Sequence, residues 1–259
     1  AIVGPDGTPG YRGRQYDTAL PHIVPITYMV RGEVLAEAMD LCGGFQADTI
    51  GSWDLQDQPL IDSIHQQQMN VKYLARVGDN MNYHLYLAKP LEGPDLTGLT
   101  IRTTPVYRAM FEKLGATLVR TAPGEVYTAL ERGAIDGYGW PSQGVLDLGW
   151  HEQTAYRVDP GFYQVDVNFL VNMDRWNDLS ADQQALLEQA ATWIETQNEE
   201  NIARNQAEAE AQAEAGIETV TFDGADKELW AETAQSEGWG EVMEIDAELG
   251  QQLQSCLTK

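Results

Sequence analysis

One arginine, Arg102, has both the chemistry and the position of a binding residue. It directly follows Leu99-Thr100-Ile101, an apolar segment typical of a strand. A guanidinium offers a planar fork of donors that matches the two oxygens of a carboxylate. The spacing leaves two interpretations open. Arg102 binds an anionic ligand at the end of a strand, or it is a surface arginine paired with a nearby Asp or Glu.

A second cluster runs from Asp136 to Pro141, with the sequence Asp-Gly-Tyr-Gly-Trp-Pro. It follows the short segment Ala134-Ile135, which we interpret as leading into another strand. An aromatic side chain at a strand end, here Trp140, can form the wall of a ligand pocket and exclude water. The alternative is that Trp140 is an ordinary core residue.

Motifs for catalysis, metals or cofactors are absent from the sequence, which has no nucleophile elbow and no phosphate loop. The Gly-x-Gly at Gly137 is followed by Pro141 and does not fit a dinucleotide loop. No pair of acidic residues has a spacing that singles it out as a glycosidase dyad. The histidines show no metal-ligand spacing: they are His22, His65, His84 and His151. We therefore expect no cofactor and no metal.

The segment from residue 99 to 141 must position Arg102 and Trp140. Its pattern predicts strands at 99–102, 116–119 and 134–137. The helix between the first two begins with Thr104 as N-cap and ends at Gly115; the next begins at Pro123. Short connections of this kind are typical of a parallel, doubly wound sheet. Binding residues in such sheets lie at the carboxyl ends of the strands.

The remaining elements follow from simpler patterns. A strand is predicted at 71–77 and one long strand at 162–173. Ser180 and Gln183 form a capping box, from which a helical pattern of roughly 50 Å continues to Ala215. A strand at 217–222 and one or two terminal helices complete the chain.

The charge of the chain restricts its partners. Its 259 residues include 40 acidic and 16 basic side chains, a net charge of -24. This excess disfavours binding to nucleic acid or to an anionic membrane surface. No stretch approaches the roughly 18 apolar residues of a membrane span, so we expect no insertion into a membrane. An acidic protein that binds an anion needs a few well-placed cations, and Arg102 is the candidate.

Two features concern processing. Cys42 and Cys256 could pair in an oxidising compartment or stay as unpaired thiols, and the sequence leaves both open. The chain has no signal peptide and no initiating Met, and it opens with the apolar Ala1-Ile2-Val3 before a Gly-Pro turn. We therefore expect that an N-terminal portion, including a removed signal peptide, is missing.

Several motifs resemble those of one family, the DctP-type solute-binding proteins of TRAP (tripartite ATP-independent periplasmic) transporters. The first is the segment from Leu96 to Arg102. Others follow in the family's order, in a resemblance that covers essentially the whole chain: residues 114–116, 123–130 and 133–137, then Trp176 and residues 179–184.

The resemblance implies an α/β fold of two lobes, like that of periplasmic binding proteins, with a long helix spanning both. It aligns Ala1-Ile2-Val3 with the third strand of the first lobe, so that the N-terminal part of this lobe is missing. We expect lobe one to comprise residues 1–79 and 168–207. Lobe two would comprise residues 80–167 and 208–259.

The resemblance also implies roles for single residues. Arg102 matches the family arginine that pairs with the ligand carboxylate. Family members often carry Asn where Trp140 stands and Arg where Asn82 stands, so a bulkier, more apolar monocarboxylate fits better than a dicarboxylate. Further candidates for the ligand-binding wall lie near the expected crossovers, where ordinary packing is an equally good explanation: they are Asn82, Tyr83, Phe162, Tyr163 and Asn168.

The function implied is that of a periplasmic, non-catalytic receptor. It would bind a small organic acid between its lobes and deliver it to the membrane subunits of a TRAP transporter. The alternative is an enzyme, for example a hydrolase or lyase acting on a carboxylate. Such an enzyme would need a general base near Arg102, and the sequence offers only generic Asp and Glu residues.

Overall fold

The computed structural model describes residues 65–67, 70–76, 81–104, 107–164 and 168–257. Cys42 lies outside these residues, so the pairing of the cysteines stays untested, as do the features expected before residue 65. Within the described ranges, no helix combines the length and the apolar character that a membrane crossing requires.

The described strands form two sheets. A two-stranded sheet pairs β1 (Val71–Arg76) with β8 (Asn168–Asn172). The other strands form a large sheet: β2 (Asn82–Leu87), β3 (Thr100–Arg102), β4 (Thr117–Val119), β5 (Gly137–Pro141), β6 (Tyr156–Asp159), β7 (Tyr163–Gln164) and β9 (Glu218–Thr221).

The helices follow the strands closely along the chain. The α-helices are α1 (Arg108–Lys113), α2 (Pro123–Glu131), α3 (Met173–Asn177), α4 (Ala181–Thr196), α5 (Glu200–Glu214), α6 (Gly224–Ile245) and α7 (Ala247–Leu257). Two 3-10 helices cover Trp150–Gln153 and Gln197–Glu199.

The large sheet has the order β4-β3-β5-β2-β6-β9, with β7 pairing with β2. Strand β3 runs parallel to β4 and β5, which confirms the predicted β-α-β-α-β unit. Strand β2, which lies outside this unit and was not predicted, runs antiparallel to both β5 and β6. The first residues of β2 therefore lie at the edge where β3, β4 and β5 end. We call this edge the carboxyl edge.

The helix boundaries of this unit match the sequence signals in part. Helix α2 begins at Pro123 as predicted, and Gly115 and Gly133 follow α1 and α2 in the left-handed conformation, with φ of 91° and 65°. The predicted helix start at Thr104 and Pro105 adjoins residues 105–106, which lie outside the described residues, so it stays a prediction. The described α-helix α1 begins at Arg108, after Tyr107. The buried Tyr107 hydroxyl donates to the Gly139 carbonyl at 3.0 Å, which ties this segment to β5.

Strand β5 alternates glycines and aromatics, and each kind faces a different core. Tyr138 stacks on Tyr86 in the cluster that also holds Trp150, with centroids 5.3 Å apart. The glycines face the larger cluster around Phe111 and Trp230. A Cβ on Gly139 would lie 2.8 Å from the Tyr107 ring, so this ring packs directly on the backbone. Close packing, rather than cofactor binding, therefore explains the Gly-x-Gly sequence.

The long strand predicted at 162–173 is two strands in different sheets. Strand β7 pairs with β2 in the large sheet, and β8 pairs antiparallel with β1 in the small one. Both sheets need the same alternation of side chains, so the sequence pattern shows no break between them. The link from β1 to β2 also passes from the small sheet to the large one.

The long helical segment has the predicted extent but is not one uniform helix. Its capping box at Ser180 and Gln183 is present, and Gly216 follows α5 with a φ of 97°. Between α4 and α5 lies the 3-10 turn. Near it the Thr196 hydroxyl donates to the Trp193 carbonyl at 2.7 Å, a local bond that competes with the regular helical pattern.

The first prediction concerns Gly139. Replacing it with Ala forces the added methyl against the Tyr107 ring, and overpacking of this kind costs about 1–3 kcal/mol. Denaturant unfolding of Gly139→Ala should show this loss. The matched control is Gly124→Ala in α2, where nothing lies within 4 Å of the new methyl. Equal stability of Gly139→Ala and wild type would contradict the packing described here.

Candidate ligand-binding site

Arg102 ends β3 at the carboxyl edge and is only 2% exposed. Its Nε and Nη2 atoms both donate to the Thr121 carbonyl, at 3.3 Å each. Within the described part of the chain, no carboxylate lies within ion-pair distance of it. The interpretation of Arg102 as a surface residue paired with an acid is therefore wrong.

One side of the Arg102 guanidinium has no hydrogen-bond partner among the described residues. The Thr121 carbonyl occupies the side formed by Nε and Nη2. Nη1 is buried and has no hydrogen-bond partner among the described residues. A carboxylate could therefore approach end-on and accept from Nη1 and the remaining hydrogen of Nη2, the two-point geometry that suits this anion.

Trp140 lies next to this guanidinium. The Arg102 Cζ is 5.5 Å from the centre of the Trp140 ring, and Trp140 also packs edge-to-face on Trp150 at 4.6 Å. Trp140 is half-buried, so one part of the ring belongs to the core and another part stays accessible. The contact stabilises the charge of Arg102 through the ring face and limits its movement.

Two threonine hydroxyls near Arg102 also lack partners. Thr104 Oγ1 and Thr121 Oγ1 are buried, and neither has a hydrogen-bond partner in the described part of the chain. Burial raises the pKa of the Tyr107 phenol, while Arg102 and Thr104 lower it, so both lie beside this hydroxyl. The carboxyl edge thus holds one cation and two hydroxyls with unused hydrogen-bonding capacity.

Three of the predicted wall residues form an aromatic group beside this edge. Tyr83 contacts Tyr163 edge-to-face at 4.8 Å, and Phe162 packs on Phe111 at 4.9 Å. Phe162 and Tyr163 are each 4% exposed and belong to the larger core cluster, whereas Tyr83 is half-buried. Burial first, and Tyr107 second, raise the pKa of the Tyr83 phenol, with Arg102 opposing them. The phenol is therefore protonated at neutral pH.

The two predicted asparagines differ in their surroundings. Asn82 begins β2 at the carboxyl edge, where its backbone carbonyl accepts from the backbone and the hydroxyl of Ser142, at 2.8 and 3.0 Å. Asn168 begins β8 in the small sheet, opposite Arg76. The side chain of Asn168 lies outside the described part of the structure. The assignment of Asn168 to the site therefore stays a prediction, as do the assignments of the other predicted residues.

A group of ionisable side chains, His84, Asp159 and Arg157, lies next to Trp140 on the sheet. His84 is paired directly with Trp140 across β2 and β5, and its Nδ1 lies 2.8 Å from the Asp159 carboxylate. Arg157 donates to the same carboxylate at 3.0 and 3.1 Å. Burial by itself raises the pKa of Asp159, but the bonds and charges of His84 and Arg157 outweigh it and hold this pKa below its usual value.

No group of three or more His, Cys, Asp or Glu side chains with a geometry suited to a metal ion occurs among the described residues. The buried cation at the carboxyl edge is Arg102. This arrangement can bind and orient an anion by charge and hydrogen bonds.

Comparison with models of protein families shows to which family the chain belongs. Residues 35–243, more than half of its length, match the model of the DctP family, described as bacterial extracellular solute-binding protein, family 7. The chain belongs to this family. Its relatives in family 7 are named for binding solutes outside the cytoplasm rather than for catalysis.

Two relatives in family 7 illustrate the range of similarity. The chain is similar to a monocarboxylate 2-oxoacid-binding periplasmic protein of Nostoc sp., with 32% identity over 101 residues, 37% of the chain and 27% of the relative. It is 25% identical to a solute-binding protein of Roseobacter denitrificans over 183 residues, 69% of the chain and 55% of the relative. The chain thus spans about a quarter to just over half of these relatives.

Solved structures of TRAP periplasmic solute-binding proteins share the fold. One from Desulfovibrio salexigens, with bound orotic acid, matches 90% of the chain and 76% of its own length, with a TM-score of 0.69 and 18% identity. One from Bordetella bronchiseptica, with calcium and picolinate in its active site, matches 92% and 70%, with a TM-score of 0.70 and 20% identity. The two-lobed α/β fold expected from the sequence is confirmed.

Three residues near Arg102 were not predicted. Thr104 was interpreted as a helix cap and Tyr107 as part of a helix, whereas Thr121 received no interpretation. A signal for Thr121 existed, since it follows β4 just as the other candidates follow their strands. The position of Tyr107 depends on β5, which is distant in sequence, so no local pattern indicates it.

The second prediction concerns Asp159. A carboxyl whose pKa is depressed in the folded state stabilises the protein at neutral pH, and this contribution is lost as the pH falls below about 4. Asp159→Asn should therefore lower the free energy of unfolding at pH 7. It should also make this free energy depend less steeply on pH in the acid range. The control is Asp178→Asn, whose ion pair with Arg175 is exposed. Parallel stability curves for Asp159→Asn and wild type would contradict the prediction.

Proposed function

We propose that this protein is an extracytoplasmic receptor that binds a small organic acid at the carboxyl edge and delivers it to a TRAP-type membrane transporter. The observation that carries the proposal is the buried Arg102, whose Nη1 lacks a partner. A buried charge without a counterion is costly, and a ligand carboxylate would relieve that cost.

The surroundings of Arg102 favour a monocarboxylate with an apolar body. Trp140 and the half-buried Tyr83 offer aromatic surface beside the guanidinium. Arg157 on the same sheet already binds the Asp159 carboxylate, and Arg120, directly after β4, is exposed, so Arg102 is the buried cation at this edge. One available cation matches one carboxylate better than two. The Nostoc relative is named for binding monocarboxylate 2-oxoacids, which is consistent with this choice.

The location and partner follow from the family. A receptor of this kind works in the periplasm and binds the membrane subunits of its transporter. Its ligand would lie between two lobes, for which we retain the expected boundaries: 1–79 with 168–207, and 80–167 with 208–259. The described strands are consistent with these boundaries: β1, ending at Arg76, and β8, beginning at Asn168, belong to the small sheet, and β2 and β7 belong to the large one.

The third prediction tests the proposal through Arg102. Orotate, 4-methyl-2-oxopentanoate and D-glucuronate are first screened by thermal shift, because a ligand that binds the native state raises its stability. For the acid that binds, Arg102→Lys should weaken affinity by roughly 10- to 100-fold in calorimetry, since an ammonium cannot reproduce the end-on fork.

The control is Arg108→Lys, which changes an exposed arginine of α1. Binding without conversion of the acid, followed by NMR, supports a receptor over an enzyme. Undiminished affinity in Arg102→Lys would refute the proposed role of Arg102, and turnover of the bound acid would refute the non-catalytic receptor.

The fourth prediction concerns selectivity. Trp140→Asn removes apolar area worth on the order of 1–3 kcal/mol, so affinity for 4-methyl-2-oxopentanoate should fall by about tenfold or more. Affinity for the more polar D-glucuronate should fall less. Trp193→Asn, at a tryptophan that is 64% exposed on α4, is the control. Unchanged relative affinities in Trp140→Asn would place selectivity elsewhere.

A further inference from the structure

We infer that Thr104 and Thr121 are ligand-binding residues whose hydroxyls hold the same carboxylate as Arg102. This inference rests on the proposed function and extends it to two residues without a charge. Both Oγ1 atoms are buried at the carboxyl edge, and neither meets the geometry of a hydrogen bond in the described part of the chain, although Thr104 interacts with the Tyr107 hydroxyl.

The first argument is energetic. A buried hydroxyl that makes no hydrogen bond loses its interactions with water and gains nothing in return, so native proteins leave few of them. Here the carboxyl edge holds two such hydroxyls, after the adjacent strands β3 and β4, and a guanidinium nitrogen that also lacks a partner. A single ligand group that accepts several hydrogen bonds would satisfy all three atoms, and a carboxylate has that capacity.

The second argument is the position of each threonine. Thr121 supplies the carbonyl that accepts from Nε and Nη2 of Arg102, so the backbone of Thr121 lies directly against the guanidinium. Thr104 lies beside the Tyr107 hydroxyl, which in turn lies beside Arg102. Thr104 follows β3 by two residues and Thr121 follows β4 by two, so both extend past the carboxyl edge of adjacent parallel strands.

The third argument is the electrostatic setting. Helix α2 begins at Pro123, two residues after Thr121, so the positive end of its dipole lies at the same edge. Hydroxyl donors add hydrogen bonds to an anion without adding charge. The site can therefore hold one carboxylate firmly through a single buried cation, Arg102, which favours singly charged acids.

The test uses substitutions that keep the shape of the side chain. Thr104→Val and Thr121→Val remove the hydroxyls, and each should raise the calorimetric Kd for 4-methyl-2-oxopentanoate by about tenfold. Thr104→Ser and Thr121→Ser keep the hydroxyls and should retain affinity within a few-fold. Thr117→Val, at an exposed position of β4, is the matched control, and thermal unfolding of each variant shows that it is folded.

A double-mutant cycle then asks whether the hydroxyls and Arg102 hold the same group. If they do, the effects of Thr121→Val and Arg102→Lys on Kd will be non-additive, because the two residues share one partner. Additive effects, or Val variants that bind as wild type does, overturn this inference while the proposed function stands. If wild type binds neither 4-methyl-2-oxopentanoate nor orotate nor D-glucuronate, the proposed function fails and the inference fails with it.

Discussion

A guanidinium buried without an acid beside it is the constraint on which the rest of the described structure depends. The chain carries a net charge of -24, so acids to pair with Arg102 are abundant. The fold nevertheless surrounds this side chain with a backbone carbonyl, an aromatic ring and hydroxyls. Elsewhere on the same sheet the cations are paired, as Lys89 is with Asp136. The positive potential is thereby concentrated at one edge of an otherwise acidic molecule.

That edge is rigid because of how β2 and β5 are built. Tyr107 reaches across the sheet to the carbonyl of Gly139 and packs on a backbone that has no side chain on that face. On the opposite face, Tyr138 stacks on Tyr86, and Trp140 packs edge-to-face on Trp150. Directly behind Trp140, the His84–Asp159 pair links β2 to β6. Packing on both faces of the sheet holds Trp140 in position, so this proposed binding residue needs little reorganisation when a ligand binds.

The sequence allowed the parallel unit, the helix ends and the position of Arg102 to be predicted, because all three depend on local signals. The Pro at the start of α2 and the Gly after α1 act within a few residues. The sequence was misinterpreted or silent where distant contacts decide. The division of 162–173 between two sheets and the antiparallel strand β2, which was not predicted, depend on strands far away in sequence. The hydroxyls of Thr104 and Thr121 were missed for the same reason.

The alternation along β5 has an evolutionary consequence. The two glycines pack closely against Leu87 and Tyr107 in the core, whereas Trp140 contacts Arg102 at the carboxyl edge. Successive positions of one strand are therefore constrained by different neighbours. If Trp140 has the role proposed above, a substitution at position 140 can change ligand preference during evolution, whereas the neighbouring glycines are held in place by packing.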